Sequence, residues 1–151
     1  MKAKLFTICT FWLIAFTTAP RLFAGSVTAK PGDDLSAKLA ALQPGDTLLL
    51  HGGTYSEGLG LPRSGSAGKL LTIRAYPGEK PIISTGSTVL NLNKDYWLIE
   101  GIVFDHQKNA SDAVPVSGNH NIIRRCEFRN GQRDCFVAAL SVGARADCGN
   151  R

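Results

Sequence analysis

The sequence lacks the residue patterns of several protein classes. It has only 4 Cys among 151 residues, no Cys-x-x-Cys pair, and 3 His without close metal-ligand spacing, which disfavours a zinc site. No apolar run reaches the roughly 20 residues that span a bilayer, since threonines interrupt the longest one, residues 5–19. A Gly-Lys pair at residues 68–69 lacks the earlier glycine and the following Ser/Thr of a phosphate-binding loop.

The N-terminus has the order of a secretory signal peptide. Lys2 and Lys4 precede the apolar run, and small residues follow it at 24–26. We therefore predict a signal peptide over residues 1–24 and a secreted or periplasmic protein with no membrane association after cleavage. Without Lys2, Lys4 and Arg21, 14 basic residues face 12 acidic ones, so the net charge falls from +5 to +2. This small excess argues against nucleic acid as a partner.

Three cysteines remain after cleavage, at positions 126, 135 and 148. An odd number in an oxidising compartment allows at most one internal disulfide and leaves a free thiol. The pairing among Cys126, Cys135 and Cys148 stays open, as does the oligomeric state.

Residues 25–45 are predicted to form an N-terminal strand and a short capping helix. Asp33 and Asp34 are suited to cap a helix whose leucines at 35, 39 and 42 fall on one face, and Pro44-Gly45 would end it. From residue 46 the helical period vanishes. Short β-rich runs separated by Gly, Pro and Asn follow, at 47–50, 70–75, 81–84, 89–92, 97–104, 114–116 and 121–128.

These runs repeat at a constant spacing. An offset of 24 aligns Ile99 with Ile123 and Phe104 with Phe128, and it aligns residue 90 with 114 and 138, and 92 with 116 and 140. Earlier coils are less regular: Leu48 would meet Leu71 at an offset of 23, and Ile73 meets Ile99 at 26. An all-strand repeat in the low twenties is typical of a parallel β-solenoid, with about four coils over residues 46–151. A leucine-rich repeat needs a consensus that is absent, and the hairpins of a β-sandwich require no fixed offset.

Several short sequence segments resemble those of the secreted right-handed parallel β-helix polysaccharide lyases of the chondroitinase B and alginate lyase type. The matching segments are Pro44-Gly45-Asp46-Thr47, Gly52-Gly53-Thr54-Tyr55, Leu71-Thr72-Ile73-Arg74-Ala75 and Leu98-Ile99-Glu100-Gly101-Ile102-Val103-Phe104. The resemblance implies an all-β, right-handed parallel β-helix that acts on an acidic, uronic-acid-containing polysaccharide by β-elimination. It also implies a cation, often Ca²⁺, or basic side chains at the uronate carboxylate, a Lys-like base and an Arg-like acid.

No motif in this chain matches the family's catalytic residues. The resemblance places them on middle coils, so we assign no catalytic and no metal-binding residue here and expect the catalytic residues beyond Arg151. The expected cofactors are none in this chain and Ca²⁺ in the intact protein.

Four arginines form the one basic cluster: Arg124, Arg125, Arg129 and Arg133. The 24-residue offset stacks Glu100 against Arg124 and Asp105 against Arg129, which predicts two exposed ion pairs between coils. The arginines at 125 and 133 have no such partner and are the candidate substrate-binding residues, because guanidinium groups suit an acidic sugar chain; the alternative is that they are solvated surface residues.

Other chemistry-bearing residues have simpler interpretations. Asp105 and His106, with Asp112, could hold a cation or do acid–base work, but a solvated turn is the favoured interpretation. Tyr96 and Trp97 could stack on sugar, yet packing on a coil face is favoured.

After residue 143 the register fails, and Asp147 would occupy an inward position. We therefore expect the chain to be truncated, as the N-terminal part of a longer lyase-like β-helix that is inactive alone. The alternative is a non-catalytic β-helix module that binds carbohydrate or serves as an envelope scaffold.

The signal peptide gives a first testable prediction. The exported protein should begin near Gly25, because the small residues after the apolar run direct cleavage there. N-terminal sequencing of the exported protein checks this, and a chain that still begins at Met1 would contradict it.

Overall fold

The computed structural model describes residues 24–107 and 113–130. Within them lie one short helix and eleven short strands. The elements, in chain order, are β1 (Ser26–Ala29), α1 (Leu35–Ala41), β2 (Thr47–Leu50), β3 (Gly53–Tyr55), β4 (Leu59–Gly60), β5 (Leu71–Ala75), β6 (Pro81–Ser84), β7 (Leu90–Asn91), β8 (Trp97–Glu100), β9 (Val103–Asp105), β10 (Ile122–Arg124) and β11 (Glu127–Arg129).

Successive coils stack in parallel. Sheet A has the order β1-β2-β5-β8-β10, sheet B has the order β11-β9-β6-β3, and sheet C pairs β4 with β7. All of these pairings are parallel. Each coil thus gives one strand to sheet A and one to sheet B, and the chain is a parallel β-solenoid of about four turns. The predicted fold class is confirmed.

The register of the later coils is the predicted one. Ile99 pairs with Ile123 and Phe104 with Phe128, both at an offset of 24. The offset of 23 predicted between the first two coils is wrong: Leu48 pairs with Ile73, at an offset of 25. A shift of two residues keeps every inward side chain inward, so the apolar pattern alone could not distinguish the two registers.

Two of the predicted strands are interrupted at the corner between sheets A and B. The run predicted over 97–104 divides into β8 and β9 at Gly101, whose φ is +74°. The run predicted over 121–128 divides into β10 and β11 at Arg125, whose φ is +54°. A left-handed residue turns the chain sharply, and the next strand begins in the other sheet.

Inward side chains form continuous columns through the coils. One column in sheet A contains Leu48, Ile73, Ile99 and Ile123. One column in sheet B contains Tyr55, Ile83, Phe104 and Phe128. The last two rings of the second column stack with centroids 5.1 Å apart. These columns make up much of the core.

Helix α1 packs against the first strands of the solenoid. Asp34 caps it by accepting a hydrogen bond from the Ala37 amide at 2.9 Å, as predicted. Leu35, Leu39 and Leu42 are buried, and the helix contacts β1 and β4. No helix within residues 24–107 and 113–130 is long and apolar enough to cross a membrane.

The column in sheet B gives a stability prediction. Phe104 is 1% exposed between Ile83 and Phe128, so Phe104→Ala should lower the free energy of unfolding by about 3–5 kcal/mol. Ile122→Ala is the matched control, because Ile122 is 38% exposed on an outward position; it should cost about 0.5 kcal/mol or less. Urea denaturation measures both, and a neutral Phe104→Ala beside a damaging Ile122→Ala would show that the register is wrong.

Candidate functional site

The outer face of sheet A carries a column of charged side chains. Arg74 on β5 pairs in register with Glu100 on β8, which pairs with Arg124 on β10. Their strand neighbours Ile73 and Ile99 point inward and are fully buried. Because side chains alternate along a strand, the charged column lies on the outside of the coil.

Glu100 is the centre of this charged column. Its carboxylate accepts from Arg124 Nη2 at Oε2 and from Arg125 Nη1 at Oε1, each at 3.1 Å. The carboxylate side chain is 7% exposed, whereas the side chains of Arg124 and Arg125 are 54% and 79% exposed. A carboxylate with so little access to water needs charged partners, and here each oxygen has one.

The structure confirms one expectation about these residues and corrects two. The ion pair between Glu100 and Arg124 forms as predicted. Arg125 was expected to have no partner, but it also pairs with Glu100. Arg125 lies at the turn between β10 and β11, with φ +54°, and its side chain extends back to Glu100 on the preceding coil. Glu100 is outward but buried, not exposed as predicted, since both guanidinium groups cover it.

The second predicted ion pair is wrong. The backbone of Arg129 is in register with that of Asp105 on the preceding coil. The Nε of Arg129, however, donates at 2.6 Å to Glu127, which lies on the same strand, β11. Asp105 instead accepts from the Asn130 side chain and the Gln107 amide, because it belongs to the turn after β9. The Arg129 hydrogen bond lowers the pKa of Glu127.

Basic charge therefore exceeds acidic charge on the outer face of sheet A. Arg74 is exposed and lies on the other side of Glu100 from Arg124. Two guanidinium groups thus contact the Glu100 carboxylate, and a third arginine, Arg74, lies in register with it on the preceding coil. Sequence reasoning missed Arg74, although the offset of 26 between the second and third coils, combined with the position of Glu100, would have found it.

A second cluster lies at the corner between sheets A and B on the first two coils. His51 Nδ1 is 3.2 Å from a Glu79 oxygen, and the Gly52 amide donates to the same carboxylate at 2.5 Å. The hydrogen bond from Gly52, then that from His51, lowers the pKa of Glu79. The His51 ring also stacks on Tyr76 with centroids 4.3 Å apart.

Tyr55, next to this cluster, is not suited to be a base. Its hydroxyl donates to the carbonyls of Ala29 and His51, each at 2.9 Å. Burial, and then the negative charges of Asp33 and Glu79, raise the pKa of Tyr55 to about 12. The phenol therefore stays protonated near neutral pH.

The remaining candidates do not form a site in the described residues. His106 is 2% exposed, while Asp112 lies outside the described residues. Trp97 is fully buried and donates to the Arg63 carbonyl at 2.8 Å, which confirms the packing interpretation for this residue. Tyr96 stacks on His120.

The cysteine and arginine predictions are only partly within the described chain. Cys126 is a half-buried thiol whose pKa is raised by burial. Cys135, Cys148 and the predicted substrate-binding Arg133 lie outside the described residues.

The described residues do not fit a calcium site. Within residues 24–107 and 113–130, no group of three or more His, Cys, Asp or Glu could hold a metal ion. Glu100 and Glu79 have their oxygens engaged by guanidinium, imidazole and amide donors. We therefore assign no reaction step to a metal on these coils.

Comparison with known proteins gives consistent matches. The family described as "Pel9A-like, right handed beta helix region" matches residues 17–146. "Pectate lyase L" of Paenibacillus polymyxa (strain SC2) is 33% identical over 110 residues, which cover 65% of this chain and 24% of that protein. "Pectate lyase L" of Thermoclostridium stercorarium is 31% identical over 102 residues, which cover 63% of this chain and 8% of that protein. The chain thus aligns with a quarter or less of each relative's length, and no solved structure matches it significantly.

The Glu79 cluster predicts a pH dependence of stability. A carboxyl whose pKa falls on folding stabilises the fold above its ordinary pKa of 4.5, and this contribution is lost as the pH falls through the lower folded value. Glu79→Gln should therefore be less stable near neutral pH and should lose less stability on acidification than the unmodified chain.

Glu57→Gln is the matched control, because Glu57 is an exposed glutamate outside the Glu79 cluster. Urea denaturation between about pH 7 and about pH 3 measures the effect. Identical pH profiles for Glu79→Gln and Glu57→Gln would contradict the assignment.

Proposed function

The chain belongs to the Pel9A-like right-handed β-helix family, and from this membership we propose that it is part of a secreted or periplasmic polysaccharide lyase. The proposed substrate is an acidic polysaccharide of uronic acids, cleaved by β-elimination. The observation that carries the proposal is the similarity to two proteins named pectate lyase L, at 33% and 31% identity.

The names of these relatives favour one polysaccharide among the uronic-acid polymers. Alginate and chondroitin or dermatan sulfate are the substrates of the lyases that the short sequence segments resemble. Pectate is the substrate in the names of both relatives. We therefore rank polygalacturonate first and keep alginate and chondroitin-type chains as substrates to be tested.

β-Elimination needs three chemical functions. A positive group must neutralise the uronate carboxylate, a base must remove the C5 proton, and an acid must protonate the departing oxygen. The basic excess on sheet A, which includes Arg74 and Arg125, is suited to the first function. This supports a role for Arg125 in substrate binding, while such a role for Arg133 stays a prediction.

The two side-chain clusters around Glu100 and Glu79 provide no free base for the second function. Glu100, Glu79 and His51 all have close partners, and Tyr55 holds its proton. That the catalytic pair follows Arg151 remains a prediction, as does Ca²⁺ in the intact protein. In the absence of such a pair, the second candidate function is a non-catalytic module that binds acidic carbohydrate or serves as an envelope scaffold.

A lyase assay tests the proposal. The protein expressed from the complete gene should produce unsaturated uronate from polygalacturonate, measured by ultraviolet absorbance, because elimination leaves a double bond between C4 and C5. Residues 25–151 alone should produce none, because no motif in them matches the family's catalytic base and acid.

Alginate and chondroitin or dermatan sulfate serve as comparison substrates. Turnover by residues 25–151 alone would refute the placement of the catalytic pair. No elimination of any polyuronate by the complete protein would refute the lyase proposal and favour the binding or scaffold module.

A further inference from the structure

The corner between sheets A and B is aromatic on the first two coils. The rings of His51 and Tyr76 are 4.3 Å apart and inclined by 21°. This separation is close to the spacing of about 4.8 Å between stacked strands, so the ring planes lie across the solenoid axis. One face of Tyr76 thus lies on His51 and the other is directed toward the third coil. Tyr76 is 36% exposed.

The third coil places no side chain over Tyr76. Gly101 aligns with Ala75, because the preceding residues Arg74 and Glu100 are paired, and a Cβ on Gly101 would lie 3.3 Å from the Ala75 Cβ. Ile102 follows and is fully buried, so the chain turns inward directly after Gly101. The third coil is therefore bare backbone at this corner.

The fourth coil supplies a guanidinium group on the far side of Gly101. The pairing of Arg124 with Glu100 aligns Arg125 with Gly101, and Arg125 is 79% exposed. Its Nη1 donates to Glu100 Oε1 at 3.1 Å, which brings the guanidinium back to the level of the third coil. A guanidinium has five N–H groups, so this bond leaves donors for a ligand.

These three residues define a corner notch, with Tyr76 on one side, Gly101 as the floor and Arg125 on the other side. The backbones that carry its two sides are two coils apart, about 10 Å, and the Arg125 guanidinium lies nearer to Tyr76, at the level of the third coil. The face of an aromatic ring attracts the polarised C–H groups of a pyranose, and a guanidinium binds a carboxylate with paired hydrogen bonds. The carboxylate of Glu79, which also lies at this corner, is hydrogen-bonded to Gly52 and His51 of the first coil.

We propose that the corner notch binds one uronate residue of an acidic polysaccharide, with Tyr76 against the sugar ring and Arg125 on the carboxylate. The substrate class rests on the proposed function, but the notch is a binding site and not a catalytic one. Glu100, which is next to Gly101 in the chain, acts as a positioning residue, because its ion pair holds the Arg125 guanidinium at the third coil. Arg74 and Arg124 add positive charge beside the notch.

Calorimetric titration of residues 25–151 with hexagalacturonate tests the proposal. Tyr76→Ala and Arg125→Gln should each weaken binding about tenfold, because one loses a stacking surface and the other a charge-assisted hydrogen bond. Tyr76→Phe should bind within about twofold of the unmodified chain, since it keeps the ring. Arg129→Gln is the matched control: Arg129 is an exposed arginine on sheet B that pairs with Glu127, and its loss should leave binding unchanged.

The methyl ester of hexagalacturonate separates the two contacts. It has no carboxylate charge, so it should bind less tightly, and Arg125→Gln should weaken it no further. Tyr76→Ala should still weaken it. Gly101→Asn adds a side chain to the notch, whereas the other variants remove one. Asn tolerates the left-handed φ of +74° at this position, and its side chain should fill the notch. It should abolish binding, and it carries the test if Tyr76→Ala does not fold.

The outcomes distinguish this proposal from the lyase proposal. No binding of hexagalacturonate by the unmodified chain, or equal weakening by Arg125→Gln and Arg129→Gln, overturns the notch even if the complete protein eliminates polygalacturonate. Binding that depends on Tyr76 and Arg125 supports the notch even if the complete protein has no lyase activity.

Discussion

The hydrogen bonding of each coil to the next in parallel register is the constraint on which the rest of the structure depends. Paired residues lie one strand spacing apart, so whatever one coil presents at a position, the next coil must accommodate. Inward positions meet this requirement with apolar columns such as Leu48, Ile73, Ile99 and Ile123. Outward charged positions need partners instead, and Arg124 and Arg125 of the next coil pair with Glu100.

The same register explains why the surface chemistry lies at a corner. A coil reaches the second sheet only by a sharp turn, which Gly101 and Arg125 make with left-handed backbones. Gly101 presents no side chain at the corner, and the Arg125 side chain extends back to Glu100 on the third coil. Together with the stacked rings of His51 and Tyr76, these turns give an aromatic and basic surface without any dedicated loop.

Much of the fold could be predicted from the sequence, because burial alternates with the period of a strand. The offset of 24 in the last two coils and the leucine face of α1 follow directly from apolar spacing. The register of the first two coils did not follow from apolar spacing, since offsets of 23 and 25 bury the same faces of the strands. The division of the two long predicted runs depends on backbone turns at Gly101 and Arg125, which hydropathy does not report.

The candidate site was less predictable than the fold. The pair of Glu100 and Arg124 followed from the offset, but the second pair joins Glu100 to Arg125, which the offset aligns with Gly101 instead. Arg129 pairs with the carboxylate of Glu127 on its own strand and not with Asp105, the residue in register on the preceding coil. Tyr76 and His51 went unnoticed, because their stacking depends on the register of the first two coils.

The most direct test of this account is a disulfide trap of the coil register. Leu98 and Ile122 are paired outward neighbours on β8 and β10, at a spacing that a disulfide can span. In a chain whose native cysteines are replaced by serine, Leu98→Cys with Ile122→Cys should form an intramolecular disulfide on mild oxidation, detected by mass spectrometry of the digested protein. Leu98→Cys with Arg124→Cys, which is two residues out of register, should stay reduced; a disulfide in this second pair and none in the first would contradict the stacking on which the site depends.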